Sequence, residues 1–344
     1  MNRPDLLLRL VKYYAALNFR GQILIGDSSR EDVFQQVSLE IERLKNSLQI
    51  THAHLPGRSV AAAVMEVNLL IDTPYACLVA DDDFIIPSGA SRCIEFLESH
   101  PDYAAAHGVG VLIISTSGRH NEISSASLYS QAVREESLAT ERIQAHLESY
   151  LVSLFSVHRT ELWRKMFINT PVPAMSVSIS DKTFADELLP CCLSVVLGKV
   201  GQVDGLYLVR QVHEQRYLLP GWFAWITNER WYGSYHYFRD QLVQAICSKQ
   251  SLSNEMAGSL VDSAFQAYLK NTVARRSSAP NRLRSVARNI RLLRLLWTAL
   301  QTLREYLSAG RAISLRSLLR PSSKYYADFA HVFKSVTIDK ALQD

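Results

Sequence analysis

The sequence lacks any Cys-x-x-Cys pair. Its five cysteines, Cys77, Cys93, Cys191, Cys192 and Cys247, are odd in number and spaced for neither a zinc site nor a redox dithiol. A reduced, cytosolic chain fits this usage best. Long apolar runs are also missing: no stretch reaches the ~18 residues expected of a membrane span. The opening MNRPDLLLRLVKYYAALNF is interrupted by Asp5, Arg9 and Lys12, so it lacks the unbroken apolar core of a signal peptide. The expected location is cytoplasmic, soluble or peripheral on the inner face of the cell membrane. There is no fixed-period repeat and no base-reading motif, so neither a solenoid nor a nucleic-acid partner is expected. Acid is nearly absent from residues 270–324, where 13 Lys or Arg stand against Glu305 alone. That +12, against +4 for the whole chain, leaves about −8 elsewhere: an acidic body with a basic arm. In the arm, Arg282, Arg284, Arg288, Arg291 and Arg294 interleave with Leu293, Leu295, Leu296 and Trp297, the composition of a helix that lies on an anionic membrane surface.

What is present is an ordinary globular composition, 344 residues with 48% hydrophobic and 20% charged content, long enough for one large domain or two smaller ones. From residue 4 to about 115, helical and strand-like periods alternate. PDLLLRLVKYYAAL, REDVFQQVSLEIERLKN and GRSVAAAVMEVNLLID read as helices, and QILIGDSS, LQITHAHLP and YACLVA as strands. Such alternation predicts an α/β sheet with crossover helices. A helix at PSGASRCIEFLESHPD and a strand at YAAAHGVGVLIIS follow. Residues 116–135 are polar and Ser-rich and read as a surface loop. A strand near YLVSLFSVH, a helix containing FADELLPCCLSVVLG and a strand QVDGLYLVRQVH complete a body over residues 1–216. Residues 217–344 form a mainly helical region that opens with the aromatic block YLLPGWFAWITNERWYGSYHYF. That block suits stacking on sugar rings, a lipid-linked acceptor or plain core packing.

The stretch YACLVADDDFIIPS carries the chemistry. Three adjacent carboxylates need a cation, a raised pKa or full solvation. On an extended strand Asp81 and Asp83 share a face and Asp82 points away, a pair suited to a hard divalent cation such as Mg²⁺ or Mn²⁺. A solvated acidic turn is the alternative.

Taken in order, GQILIGDSSRED, GRSVAAAVMEVNLLIDTPYACLVADDDFIIP and FADELLPCCLSVVLG resemble the GT-A nucleotide-sugar-dependent glycosyltransferases, particularly the family 2-like bacterial enzymes. The resemblance covers residues 1 to about 215. It implies a Rossmann-like, mostly parallel sheet flanked by helices, and transfer of a sugar, with inversion, from a nucleotide-sugar donor to a glycan or lipid-linked acceptor in surface polysaccharide biosynthesis. Asp27 and Ser28 would lie near the nucleotide, Asp81, Asp82 and Arg210 would contact the nucleoside or diphosphate, and Asp83, Asp81 and His213 would hold the metal. Asp186 or Glu187 would be the catalytic base: aligning the acidic pair directly gives Asp186, counting back from Gly198 gives Glu187, and of the two Asp186 is the one expected. Asp181 and Arg216 lie nearby in the same pattern. The resemblance further implies a central strand before the NRPDLLL segment, which the residues ahead of Pro4 do not supply.

Overall fold

The computed structural model describes residues 2–116, 119–167, 182–214, 219–277 and 313–337. Helix α1 (Pro4–Ala16) starts where Pro4 supplies the preset φ of a first helical position, with Arg3 as the preceding cap residue. Its Leu6, Leu10, Val11 and Tyr14 are buried. Strand β1 (Gln22–Asp27) crosses through α2 (Glu31–Leu44) to β2 (Gln49–His54) and pairs with it in parallel, bringing Asp27 opposite His54. Helix α3 (Val60–Asn68) is capped by Ser59, whose hydroxyl accepts the Ala62 N–H at 3.2 Å.

The other strands form a second sheet. β3 (Tyr75–Ala76), β4 (Phe84–Ile85), β5 (Tyr103–Thr116), β6 (Arg119–Tyr129), β7 (Val157–Arg159) and β8 (Lys199–Val212) are ordered β3-β7-β5-β8-β4, with β6 also on β5. The molecule is therefore mixed α/β. Among the described residues the parallel pairs are β1 with β2 and β5 with β8 and the other pairs are antiparallel, fewer parallel pairs than the mostly parallel sheet expected. Local connection explains part of this: β5 leads into β6 within two residues, and so short a link joins only antiparallel neighbours. The same hairpin corrects the reading of residues 116–135 as a loop. Ser124, Ser125 and Ser127 lie on a true strand whose Ile123 and Ala126 pack against the core.

Helix α4 (Pro87–Ser99) lies on β5 and β8, α5 (Ala139–Glu148) precedes β7, and α6 (Thr160–Phe167) follows it. After a π-helical turn (Phe184–Leu188), every residue of α7 (Leu189–Leu197) is buried, which accounts for the uniformly apolar LPCCLSVVL. Helices α9 (Trp231–Lys249) and α10 (Asn254–Ser277) cover α5 and α7, the short α8 (Trp222–Ile226) packs its Trp225 on Phe184 and Phe265, and α11 (Leu315–Leu318) and α12 (Tyr326–Thr337) return to the sheet beside β6. Among the described residues no helix is long and apolar enough to cross a membrane. The basic 282–297 segment lies outside the described residues.

Gly89 is where α4 meets β8: a Cβ there would lie 2.3 Å from the Leu206 carbonyl oxygen and 2.8 Å from the Tyr207 Cα. Gly89→Ala should therefore cost about 1–3 kcal/mol in urea unfolding, because backbone rather than a mobile side chain must yield. Two fully buried histidines set a pH response. Burial pushes His158 down to about 4, and burial, then the nearby Arg134 charge, pushes His146 down to about 3. Between these values and the unfolded ~6.5 the unfolded chain binds more protons, so both groups make stability fall as pH falls. In His146→Phe, stability against pH between 4 and 6 should flatten by ~1 kcal/mol per pH unit relative to wild type, measured by urea titration at each pH.

Candidate active site

At the C-terminal end of β1 the chain turns through Asp27, Ser28 and Ser29. Asp27 is buried. Its Oδ1 accepts the Ser29 N–H at 2.8 Å, and its Oδ2 lies 3.1 Å from His52 Nε2. Burial raises its pKa, but the hydrogen bonds from His52 and Ser29 outweigh that and hold it at about 2. Ser28 is half-buried on the same turn. His52 Nδ1 sits 3.1 Å from the Ser38 hydroxyl, and His54 Nε2 donates to the Ser29 carbonyl at 2.9 Å. Phe34 packs on both imidazoles with ring centroids 4.4 and 4.2 Å away. Sequence reading missed these histidines, although their i, i+2 spacing on a predicted strand already placed them on one face.

Asp81, Asp82 and Asp83 follow a strand that is regular only over Tyr75–Ala76, and a turn closes where the Asp83 N–H bonds to the Ala80 carbonyl at 3.1 Å. Because the chain turns here, side chains do not alternate as on an extended strand. Asp81 and Asp82 share one partner, Arg3, and Asp83 faces β8. Arg3 Nε donates to Asp81 Oδ2 at 3.0 Å, its Nη2 pairs with Asp81 Oδ1, and its Nη1 donates to Asp82 Oδ2 at 2.9 Å. Asn2 fixes this arginine to the β1 turn: its N–H donates to Ser29 Oγ at 2.7 Å and its Oδ1 accepts the Arg30 N–H at 3.0 Å. Asn2 has φ +54, a left-handed conformation that asparagine tolerates better than most residues. Asn2 and Arg3 thus join the Asp27 turn to the aspartate triplet. The sequence signal was a polar pair directly before a Pro-initiated helix.

Asp83 is 1% exposed. Its Oδ1 accepts the Gln211 N–H at 3.0 Å and its Oδ2 accepts Arg210 Nε at 2.8 Å. Burial pushes its pKa up to about 6 against the pull of Arg210. Burial opposes the Arg210 charge in turn, but Asp83 and Tyr129 more than offset this and push its pKa up. The guanidinium is held between the rings of Phe155 and Tyr129, 4.4 and 5.1 Å from their centroids, and donates to the Tyr129 hydroxyl at 3.0 Å. His213 Nε2 lies 3.0 Å from Asp82 Oδ2, and burial lowers its pKa despite that carboxylate.

The acidic pair divides. Asp186, 5% exposed, turns its Oδ1 to the Ala61 N–H at 2.9 Å, at the N-terminus of α3. Glu187 accepts the Tyr150 hydroxyl at 3.1 Å. Burial raises its pKa, and it stands close enough to Arg210 for that charge to favour the carboxylate. Asp181 and Arg216 lie outside the described residues. Of the aromatic block, Trp225 is 2% exposed and packs on Phe184, two residues before Asp186. Trp222 and Trp231 line an apolar cavity of about 640 Å³ with Leu269, Lys270 and Val273.

Asp81 and Asp83 offer the hard oxygen donors that Mg²⁺ or Mn²⁺ prefers. In donor chemistry the residues fit such an ion. In this arrangement, however, both oxygens of each are engaged by protein donors, and among the described residues no group of three or more His, Cys, Asp or Glu side chains is placed to hold a metal ion.

No protein-family model and no curated protein matches the chain. Solved structures do. The crystal structure of S. aureus TarS 1-349 in complex with UDP-GlcNAc is similar with a TM-score of 0.52 at 13% identity, over 98% of this chain and 88% of that one. The same fragment without ligand gives 0.49 at 13% identity over 100% and 90%, and with UDP 0.48 at 16% identity over 98% and 88%. At this identity the first likeness shows a shared fold and nothing more.

Removing Asp83 leaves Arg210 without its buried partner. Asp83→Ala should lower stability by about 3 kcal/mol, and adding Arg210→Met should recover part of that loss in a double-mutant unfolding cycle.

Proposed function

We propose that the protein is a glycosyltransferase that moves a sugar from a nucleotide-sugar donor to a hydroxyl of a glycan or lipid-linked acceptor. The observation that carries this reading is the meeting of Asp27 and the Asp81–Asp83 triplet beside the ends of β1 and β3, bridged by Asn2 and Arg3. It does so in a fold similar to that of a protein solved with UDP-GlcNAc, which supports a UDP-linked donor as the first to test. Ligands in open α/β folds bind outside the carboxyl ends of strands. There Asp27 and Ser28 suit the nucleoside, and Asp81, Asp82 and Arg210 suit its ribose and diphosphate. A divalent cation held by Asp81 and Asp83, with His213 beside them, would supply Lewis-acid neutralisation of the departing diphosphate.

Glu187 is assigned as the base in preference to Asp186. Asp186 is committed to the α3 amide, whereas Glu187 is directed at Tyr150 within the field of Arg210. Its raised pKa brings it nearer the range where a carboxylate accepts a proton effectively. Glu187 takes the acceptor hydroxyl proton as that oxygen bonds to the anomeric carbon. The carbon's bond to the diphosphate oxygen breaks, and the nucleoside diphosphate leaves with the electron pair. Attack from the face opposite the leaving group gives inversion.

Titration of UDP into the full chain with Mn²⁺, followed by transfer assays from UDP-GlcNAc to a mixed glycan acceptor, tests the reading. Glu187→Gln should reduce turnover by about 10²–10⁴-fold with UDP affinity retained, whereas Asp186→Asn should act mainly on stability. Undiminished turnover in Glu187→Gln would remove the base assignment. Absence of UDP, GDP, CMP and dTDP binding by a folded sample would sink the donor reading.

A further inference from the structure

We propose that Arg3 is a built-in counter-ion that, in the nucleotide-free protein, occupies Asp81, one of the two carboxylates assigned to the cation, together with the neighbouring Asp82, and that it passes its guanidinium to the donor diphosphate when donor and cation enter together. This inference rests on the nucleotide-sugar reading for the identity of the anion. It adds to that reading a donor-binding residue and an order of binding.

The contact is bidentate on Asp81 and reaches Asp82 with its remaining nitrogen. The Arg3 side chain is 14% exposed and its carboxylate partners 17% and 8%, so the charges are largely withdrawn from solvent. The arginine is delivered there by fixed backbone: Asn2 is anchored to Ser29 and Arg30 on one side, and Pro4 begins α1 on the other. With Arg210 on Asp83, two guanidinium groups face three carboxylates directly, and Arg9 stands behind them through Gln211, 2.7 Å from its Oε1.

A divalent ion arriving alone must shed water and displace a bidentate, charge-assisted pair. It also pulls Arg3, a partly buried cation, away from both carboxylates. A diphosphate removes that obstacle, because its oxygens match the guanidinium fork as well as a carboxylate does. Cation and diphosphate therefore favour each other's binding through Arg3, and by linkage the factor is the same in both directions. Arg210 is less suited to the exchange, being clamped by Phe155 and Tyr129 as well as Asp83.

The test follows free Mn²⁺ by its electron paramagnetic resonance signal while the full chain is titrated, with and without UDP, in wild type, Arg3→Ala and Arg3→Lys; circular dichroism checks each fold. Wild type should bind Mn²⁺ weakly alone and at least about tenfold more tightly with UDP. Arg3→Ala should bind Mn²⁺ alone about tenfold better than wild type, with the UDP enhancement reduced. Arg3→Lys, which keeps charge but not the fork, should fall between them. Equal Mn²⁺ affinity of nucleotide-free wild type and Arg3→Ala, or no Mn²⁺ binding by either, overturns the exchange. Failure of UDP to bind any of the three, with or without Mn²⁺, while Arg3→Ala still gains Mn²⁺ affinity, would instead strike the nucleotide reading and leave the Arg3–cation competition standing.

Discussion

Three consecutive carboxylates cannot be taken out of water without compensation, and the structure around the site is arranged by that requirement. Asp82 and Asp83 are buried and Asp81 nearly so. Each is answered by a guanidinium from a different part of the chain, Arg3 ahead of α1 and Arg210 on β8. These two contacts span 78 and 127 residues of sequence. They draw the first helix and the last strand of the body to the same turn. The triplet is as much a folding constraint as a chemical one.

The same contacts do work that backbone pairing does not. Strands β1 and β2 make a two-stranded sheet separate from the six-stranded one. Asn2 and Arg3 connect the Asp27 turn to the aspartate triplet by hydrogen bonds and ion pairs, and the Asp186 carboxylate reaches across to α3. The apolar counterpart is the core in which α1, α2, β1 and α12 side chains meet those of β4, β5 and β8. Polar ties set where the Asp27 turn lies relative to the triplet, and the apolar core keeps it there. Of these ties the Arg3 contact is a salt bridge, and the Asn2 and Asp186 contacts are hydrogen bonds to uncharged partners.

The local periods of the body were legible because they depend on near neighbours. α1, α2, β1, β2, α4 and β5 appear where alternation and helical spacing put them, and Asp27 sits at the end of β1, whereas the triplet lies in a turn ahead of β4 because the strand expected over YACLVA is regular only at Tyr75–Ala76. Strand β6 was hidden because its serines mimic loop composition, and its strand character comes from pairing with β5, which a local window does not contain. Arg3 was hidden for a related reason. Nothing in NRPDLLL announces a partner at Asp81; only the fold brings them together. His52 and His54 were legible in spacing but not in role, since their meaning depends on the parallel register that sets β2 against Asp27. The question raised by DDD, which cation answers it, has a protein answer that composition concealed.

The acidic pair shows how far geometry goes beyond motif. Asp186 and Glu187 are adjacent on a π-helical turn, and successive residues on any helix leave the axis in different directions, so one partner cannot serve both. The α3 amide takes Asp186, and an N-terminal helix dipole favours a fixed, ionised carboxylate there. Glu187 is left with a neutral phenol as donor and with burial, which makes its charge less stable and its proton affinity greater. Arg210 then lies between the two halves of the site. It pairs with Asp83 on one side, and its field lowers the cost of ionising Glu187 on the other.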